Sequence, residues 1–327
     1  MGDGHVGSEV HGLEDALSRM VLEGVIEELQ QIPATWRLVS AVVTENSRTV
    51  NFHIRDAAIR FEEAAHRYIL NPGSAMEAVF PISVSGLWAQ YFEKFDPVAI
   101  TEKYYSKWAR TPHSNYYGVI CKYREAGEDD ARIKQRIRGG WSENGQVASA
   151  AGTRMHRCIE LALGGEMCDG STREMDMFRR YVEEWLEPRG WRVYRLEWSV
   201  YCTEAMVAGQ IDAVFECNGS YHMVDWKRCG KLLDEQAGDG PFARYGLSPF
   251  EDCLDNACKH YFVQQNLYGV ILERRYGMRL DSMWLCQIHP RYESYRVIEV
   301  PDLRGRAGWV LDEYTASRPR CVPWERV

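Results

Sequence analysis

The stretch Val207–Cys229, VAGQIDAVFECNGSYHMVDWKRC, decides how this chain is read. Two strand-like runs, Val207–Glu216 and Tyr221–Lys227, flank Asn218-Gly219. An Asn-Gly pair between alternating strands is the strongest short-range signal for a hairpin. With those two residues as the loop, Cys217 pairs with Ser220, and counting outward sets Asp212 opposite Asp225. Lys227 then faces the same side as Asp225, and Trp226 faces the other. A one-residue change of turn would move Asp212 to the opposite face.

Like charges directly opposite on a sheet repel, with Cβ atoms only ~4.5–5.5 Å apart. A divalent cation held by oxygen ligands, of the Mg²⁺ or Mn²⁺ kind, would compensate. A lysine beside such a pair can orient a water or stabilise charge on a phosphate. Two carboxylates, a metal and a lysine are the parts of metal-assisted phosphodiester hydrolysis. A solvated hairpin with scattered charges fits the same pattern, so the hairpin alone decides nothing.

Two helical segments add to it. Gly152–Leu163, GTRMHRCIELAL, spaces Met155, Ile159, Ala162 and Leu163 as one helical face, with Thr153 as an N-cap. His156 and Glu160 lie four apart on a shared face. A neutral imidazole can ligate a metal, although a histidine on an amphipathic helix is more often structural. His260–Gly277, HYFVQQNLYGVILERRYG, places Gln264 and Tyr268 four apart on an apolar helix. An amide and a phenol on one face can hold a phosphate or a base edge, and simple core packing satisfies them equally. Trp191–Cys202 reads as an alternating strand with Val193, Arg195, Glu197, Ser199 and Tyr201 on one side. From there Glu197 either approaches the metal or is an ordinary outward-facing charge. Met283–His289 reads as a further strand.

Taken in order, GTxxHxxIE at Gly152–Glu160, AGQID at Ala208–Asp212, VDWKR at Val224–Arg228 and QQNLY at Gln264–Tyr268 resemble the RecB-type nucleases of the PD-(D/E)XK superfamily. That branch includes Cas4-like exonucleases and the mitochondrial genome maintenance exonuclease. The motifs span about residues 150–290. Phe61–Ala99 and Trp141 resemble the region that precedes the motifs in some of these nucleases more loosely. The resemblance implies an α/β fold with a restriction-endonuclease-like αβββαβ core, a mixed central sheet flanked by helices. It implies that His156, Asp212, Asp225 and the carbonyl of Trp226 ligate Mg²⁺ or Mn²⁺. Asp212, Asp225 and Lys227 would be catalytic, with Lys227 helping to activate the attacking water. Gln264, Tyr268, Glu160 and Arg228 would handle the substrate, which is expected to be DNA, with single-stranded ends favoured. Some relatives carry an iron–sulfur cluster. The cysteine grouping it needs is absent here, so none is expected.

Bulk properties set limits. A chain of 327 residues with net charge −8 is ample for a core and is not built for broad nucleic-acid coating. A bound cation and a local basic groove can still dominate at one site. Arg132, Lys134, Arg136 and Arg138 form a basic stretch that reads either as phosphate contact or as a solvated helix face. Arg228, Lys231 and Lys259 add positive charge near the hairpin. Ten cysteines without a CxxC pair read as reduced thiols. No apolar run is of transmembrane length, and neither a signal peptide nor a transit peptide is evident. The expectation is a soluble, intracellular protein without membrane contact.

The division along the chain is expected to be a disordered N-terminus over 1–12, a mostly helical region over 13–134, the nuclease-like core over 135–300, and a C-terminal helix and tail over 301–327. The N-terminal region would hold a helix over Gly12–Gln31, a strand pair around Trp36–Ile54, and helices over Val84–Phe95 and Asp96–Trp108. Two other functions compete with a nuclease: a catalytically inactive nucleic-acid-binding or regulatory module of the same fold, and a metal hydrolase acting on a small phosphate compound.

Overall fold

A computed structural model describes residues 35–239 and 243–318. The expected disordered N-terminus and the helix over Gly12–Gln31 lie outside the described residues. In chain order the elements are strands β1 (Thr35–Arg37), β2 (Ile59–Glu62), β3 (Arg67–Leu70), β4 (Ala78–Val79) and β5 (Ile82–Ser83). Helices α1 (Val84–Trp88), α2 (Pro97–Trp108), α3 (Tyr117–Glu125) and α4 (Asp130–Leu163) follow. Next come β6 (Met167–Asp169), α5 (Arg173–Tyr181), β7 (Arg192–Cys202), β8 (Val207–Cys217) and β9 (Ser220–Lys227). The chain continues with α6 (Ala257–Tyr276), β10 (Ser282–Gln287), β11 (Arg296–Glu299) and α7 (Arg304–Ser317).

The architecture is mixed α/β, with a central mixed sheet flanked by helices. β7, β8 and β9 form an antiparallel meander, β10 lies parallel to β9, and β11 closes the edge antiparallel to β10. The parallel β9–β10 pair requires a crossover, and α6 supplies it. Successive residues alternate between two cores. Val214, Met223 and Leu285 pack with α6 in one, while Ala213, Phe215, Val224, Trp226 and Cys286 pack with α4 and α5 in the other. This alternation is what a sheet covered on both faces demands.

The N-terminal region is helical over α1–α4, and Asp96 caps α2 ahead of Pro97 in its first turn. It also holds a small three-stranded sheet, β2–β3–β4. The strand pair expected around Trp36–Ile54 does not form. β1 pairs with β6 instead, and the stretch that follows β1, over 40–51, is carried by turns.

Helix α4 corrects the expectation that Thr153 begins a helix. The N-cap is Asp129, whose side chain accepts from the Arg132 N–H, and the helix runs unbroken for 34 residues. Thr153 is interior, and its hydroxyl donates to the Ser149 carbonyl. The first turns of α4 bury Ile133 and Ile137 against Tyr105 and Ile120, the last turns enter the core beside β9, and Ser142–Ala150 between them is exposed. Residue 135 therefore falls inside one helix. Among the described residues, no helix is long and apolar enough to cross a membrane.

Candidate metal centre

The β8–β9 hairpin is held by Asn218 and Gly219, both with positive φ (52° and 82°), as a two-residue turn of the primed type requires. Pairing runs from Cys217–Ser220 to Ala213–Val224 and stops there. One step further, the Trp226 N–H donates to the Asp212 carboxylate (Oδ2, 2.9 Å) instead of a ladder partner. Beyond this point β8 pairs with β5 through Val207–Ile82 and Ala208–Ser83, while β9 stays with β10 as far as Lys227–Gln287. The two strands diverge, and Asp212 and Asp225 stand on either side of the opening.

Three side chains from three elements converge here. His156 of α4, Glu197 of β7 and Asp212 of β8 place one ligand atom each within 4.8 Å of one another. His156 Nδ1 lies 3.4 Å from Asp212 Oδ2. Glu197 arrives by an irregularity. Its neighbours Leu196 and Trp198 pair with Ala213 and Ile211, which sets Glu197 beside Asp212. Leu196 nevertheless packs in one core and Trp198 in the other, so the simple alternation expected of this strand fails. Glu197 itself has φ 45°, a left-handed conformation costing a non-glycine residue on the order of 1–2 kcal/mol. Strain of this kind concentrates at functional sites. The carbonyl of Glu197 accepts from Gln210 Nε2 at 3.1 Å. Burial pushes the Glu197 carboxyl up to about 9, and the charges of Asp212 and Glu160 push the same way.

These residues fit a divalent cation. Crowded, partly buried carboxylates repel one another, and an imidazole beside them completes a mixed oxygen and nitrogen donor set. The cluster is a candidate metal-binding site made of His156, Glu197 and Asp212.

Asp225 and Lys227 line the β9 side. Asp225 is buried, and burial raises its carboxyl to about 6, with Lys227 opposing the shift and Asp212 adding to it. Lys227 Nζ lies 2.6 Å from Asp225 Oδ2. Burial works against the lysine's charge, but Asp225 and Asp212 outweigh it and lift the ammonium to about 12. The same Nζ lies 3.5 Å from Gln264 Oε1 and 4.3 Å from the centre of the Tyr261 ring. Helix α6 therefore meets the centre through Tyr261 and Gln264. Tyr268, one turn on, is buried against Gly209, where an added Cβ would lie 2.7 Å from the ring and its hydroxyl. That close approach is why a glycine stands immediately before Gln210 on β8.

The expected residues thus divide. His156 and Asp212 are brought together, and Glu197, only one of two readings from the sequence, joins them. Asp225 faces Lys227 rather than that trio. The Trp226 N–H binds Asp212, and its ring is buried edge-on to Phe178 and Tyr181. Glu160 is buried and held by Arg48 and Arg157. Arg228 is paired with Glu174 at 2.8 Å. Three of the four cations of the basic stretch on α4 have partners within the protein: Lys134 pairs with Glu102, Arg136 with Glu128, and Arg138 donates to Thr101. Tyr68 of β3 was not singled out from sequence. Its buried hydroxyl is raised first by burial and then by Glu197 and Asp212, which places it at the centre's edge. Only the looser similarity of the segment around it pointed there.

No family model matches the sequence, and no curated protein matches it. One solved structure, titled "Crystal structure of SSO0001", is similar over 51% of this chain and 75% of its own, at 14% identity and a TM-score of 0.22. Similarity at that level carries no argument about this chain.

Proposed function

We propose that this chain is a metal-dependent nuclease of the PD-(D/E)XK superfamily, RecB-type branch, that hydrolyses DNA phosphodiesters and favours single-stranded ends. The observation that carries the reading is the convergence of His156, Glu197 and Asp212 at the point where β8 and β9 part, with Lys227 opposite. The order α4–β7–β8–β9–α6–β10, with β6 and α5 inserted after α4, supports it, since it contains the αβββαβ order that the resemblance implies.

His156, Glu197 and Asp212 would hold Mg²⁺ or Mn²⁺, with Asp225 adjoining. The ion, when bound, lowers the pKa of a coordinated water and offsets charge on the phosphate. Lys227 keeps its proton at neutral pH and presents a fixed cation to the attacked group. Asp225 holds that ammonium in place, and Gln264 and Tyr261 bound its motion from α6. The low-dielectric walls formed by the two cores strengthen each of these interactions.

End-labelled single- and double-stranded DNA incubated with Mn²⁺, Mg²⁺ or EDTA, wild type beside Lys227→Ala, tests the reading. Metal-dependent cleavage lost in the variant supports it, and the product ladder reports end dependence. DNA binding without cleavage by wild type in any metal would replace it with the inactive binding module.

A further inference from the structure

A second group of cations gathers just beyond Lys227, where β9 and β10 end. The Gly230 carbonyl accepts from Arg291 Nη1 (3.2 Å) and from the Tyr292 hydroxyl (2.9 Å). His289 packs beneath Gly230, where an added Cβ would lie 3.2 Å from its Nε2. Arg173 reaches in from α5 and donates to the Tyr292 carbonyl at 3.2 Å. Burial, followed by Arg228 and Arg291, holds the His289 imidazole below its ordinary range, so those guanidinium groups stand close to it. Lys231 follows Gly230 and is exposed.

The cations of this rim are not all neutralised by carboxylates. Arg228 has a carboxylate partner in Glu174, whereas the bonds of Arg173 and Arg291 go to carbonyls, which leave their charge uncompensated. A chain of net charge −8 thus presents a local excess of positive charge beside its carboxylate-rich centre. Gly230 is three residues past Lys227, so at ~3.3 Å per extended residue the rim begins within about 10 Å of the catalytic lysine. Carbonyl-bound guanidinium groups keep donors free for phosphate oxygens, the geometry for which arginine is suited.

We propose that Arg173, Lys231 and Arg291 form a phosphate-binding rim that grips the backbone of a nucleic-acid strand next to the scissile phosphate. The placement relative to a scissile phosphate rests on the nuclease reading; the binding of a strand does not. Contact with phosphates alone carries no base preference.

The test is fluorescence anisotropy of a labelled oligo(dT) in EDTA, where metal-dependent cleavage is silent, over a range of salt. Wild type is compared with Lys231→Ala/Arg291→Ala and with Arg291→Lys. The double variant is expected to bind roughly ten-fold more weakly and to lose salt slope by about 0.7 for each phosphate contact removed, equally on oligo(dA), while Arg291→Lys keeps most of both. Hydrolysis of bis(p-nitrophenyl) phosphate with Mn²⁺, a diester with no neighbouring phosphate, is followed in parallel. The loss of kcat/KM on the oligonucleotide should exceed the loss on the small diester by about the same factor as the loss of binding. Unchanged affinity and slope in the double variant, or no oligonucleotide binding by wild type, overturns the rim even if the small diester is cleaved. Weakened binding in the variants together with no hydrolysis of either substrate by wild type keeps the rim and removes the nuclease reading.

Discussion

The two ends of the β8–β9 hairpin are built for opposite purposes. At the turn end, Asn218 and Gly219 close the loop, and five residue pairs from Cys217–Ser220 to Ala213–Val224 stay in register between two apolar cores. At the open end the ladder stops, the Trp226 N–H is satisfied by the Asp212 carboxylate, and Glu197 and Asp225 carry raised carboxyls. One hairpin therefore gains stability at its turn and gives some up at its mouth. Changes at the mouth should cost function with little cost in stability, and changes at the turn the reverse.

The largest expected effect is at the mouth. On the proposed reading, Asp212→Asn and Lys227→Ala each lower metal-dependent cleavage by at least about 10²–10³-fold. The melting temperature of Asp212→Asn in EDTA should hold or rise, because one of the repelling carboxylates is gone. An active Lys227→Ala, or an unfolded Asp212→Asn, would break the contrast.

Gly209→Ala tests where the two purposes meet. The new methyl group would collide with Tyr268, which cannot yield freely because it is buried on α6. A cost of about 1–3 kcal/mol is expected in urea unfolding, with reduced cleavage as the Gln264 face of α6 shifts. Wild-type stability in this variant would mean that the close contact is unimportant.

The pH dependence of the metal-free protein sharpens the comparison further. A carboxyl raised on folding contributes stability that is complete below its unfolded pKa and is lost as pH rises through the folded value. For Glu197 that loss extends to about 9. Half-buried His222, His260 and His289 are lowered and act in the opposite sense, but only through the histidine range and below. Between about pH 7 and about pH 9 the melting temperature in EDTA should therefore fall more steeply for wild type than for Glu197→Gln. Mn²⁺ should raise it, and more so at the higher pH, since protons and metal compete for the same ligands. Parallel slopes for the two proteins would remove Glu197 from the centre.

The smallest effect belongs to the turn. Gly219 has φ 82° with open space around it, so Gly219→Ala meets only the backbone penalty of about 1 kcal/mol. Activity per folded molecule should be unchanged; a loss of activity larger than the loss of folded protein would show that register at the mouth is set from the turn.

Much of the hairpin was legible because its signals are local. Asn-Gly sets the turn, alternation sets the faces, and the count from Cys217–Ser220 carries Asp212 opposite Asp225 without any distant partner. Helix α6 was legible from its apolar spacing. Thr153 misled because a helix start was read from Gly152-Thr153, whereas α4 is anchored by packing at both ends and crosses that step. Glu197 stayed ambiguous because alternation assumes regular strand backbone, and a left-handed residue in mid-strand has no sequence signature when it is not glycine. The stretch Arg132–Arg138 read either as phosphate contact or as a solvated helix face, whereas Lys134 and Arg138 meet Glu102 and Thr101 of α2 and Arg136 meets Glu128 just before α4. The rim around Gly230 was invisible because Arg173 and Arg291 come from segments far apart in the chain.

Local chemistry in the sequence was enough to set the hairpin, its register and the side on which Asp225 and Lys227 stand, since turn geometry and a two-residue period act over a few neighbours. Only the tertiary structure decided where that hairpin opens and what fills the opening. β8 leaves β9 because β5, from far upstream, takes over its edge, and His156 and Glu197 reach Asp212 because α4 and β7 are packed against the same sheet. Those contacts join residues distant in sequence, and no local pattern records them.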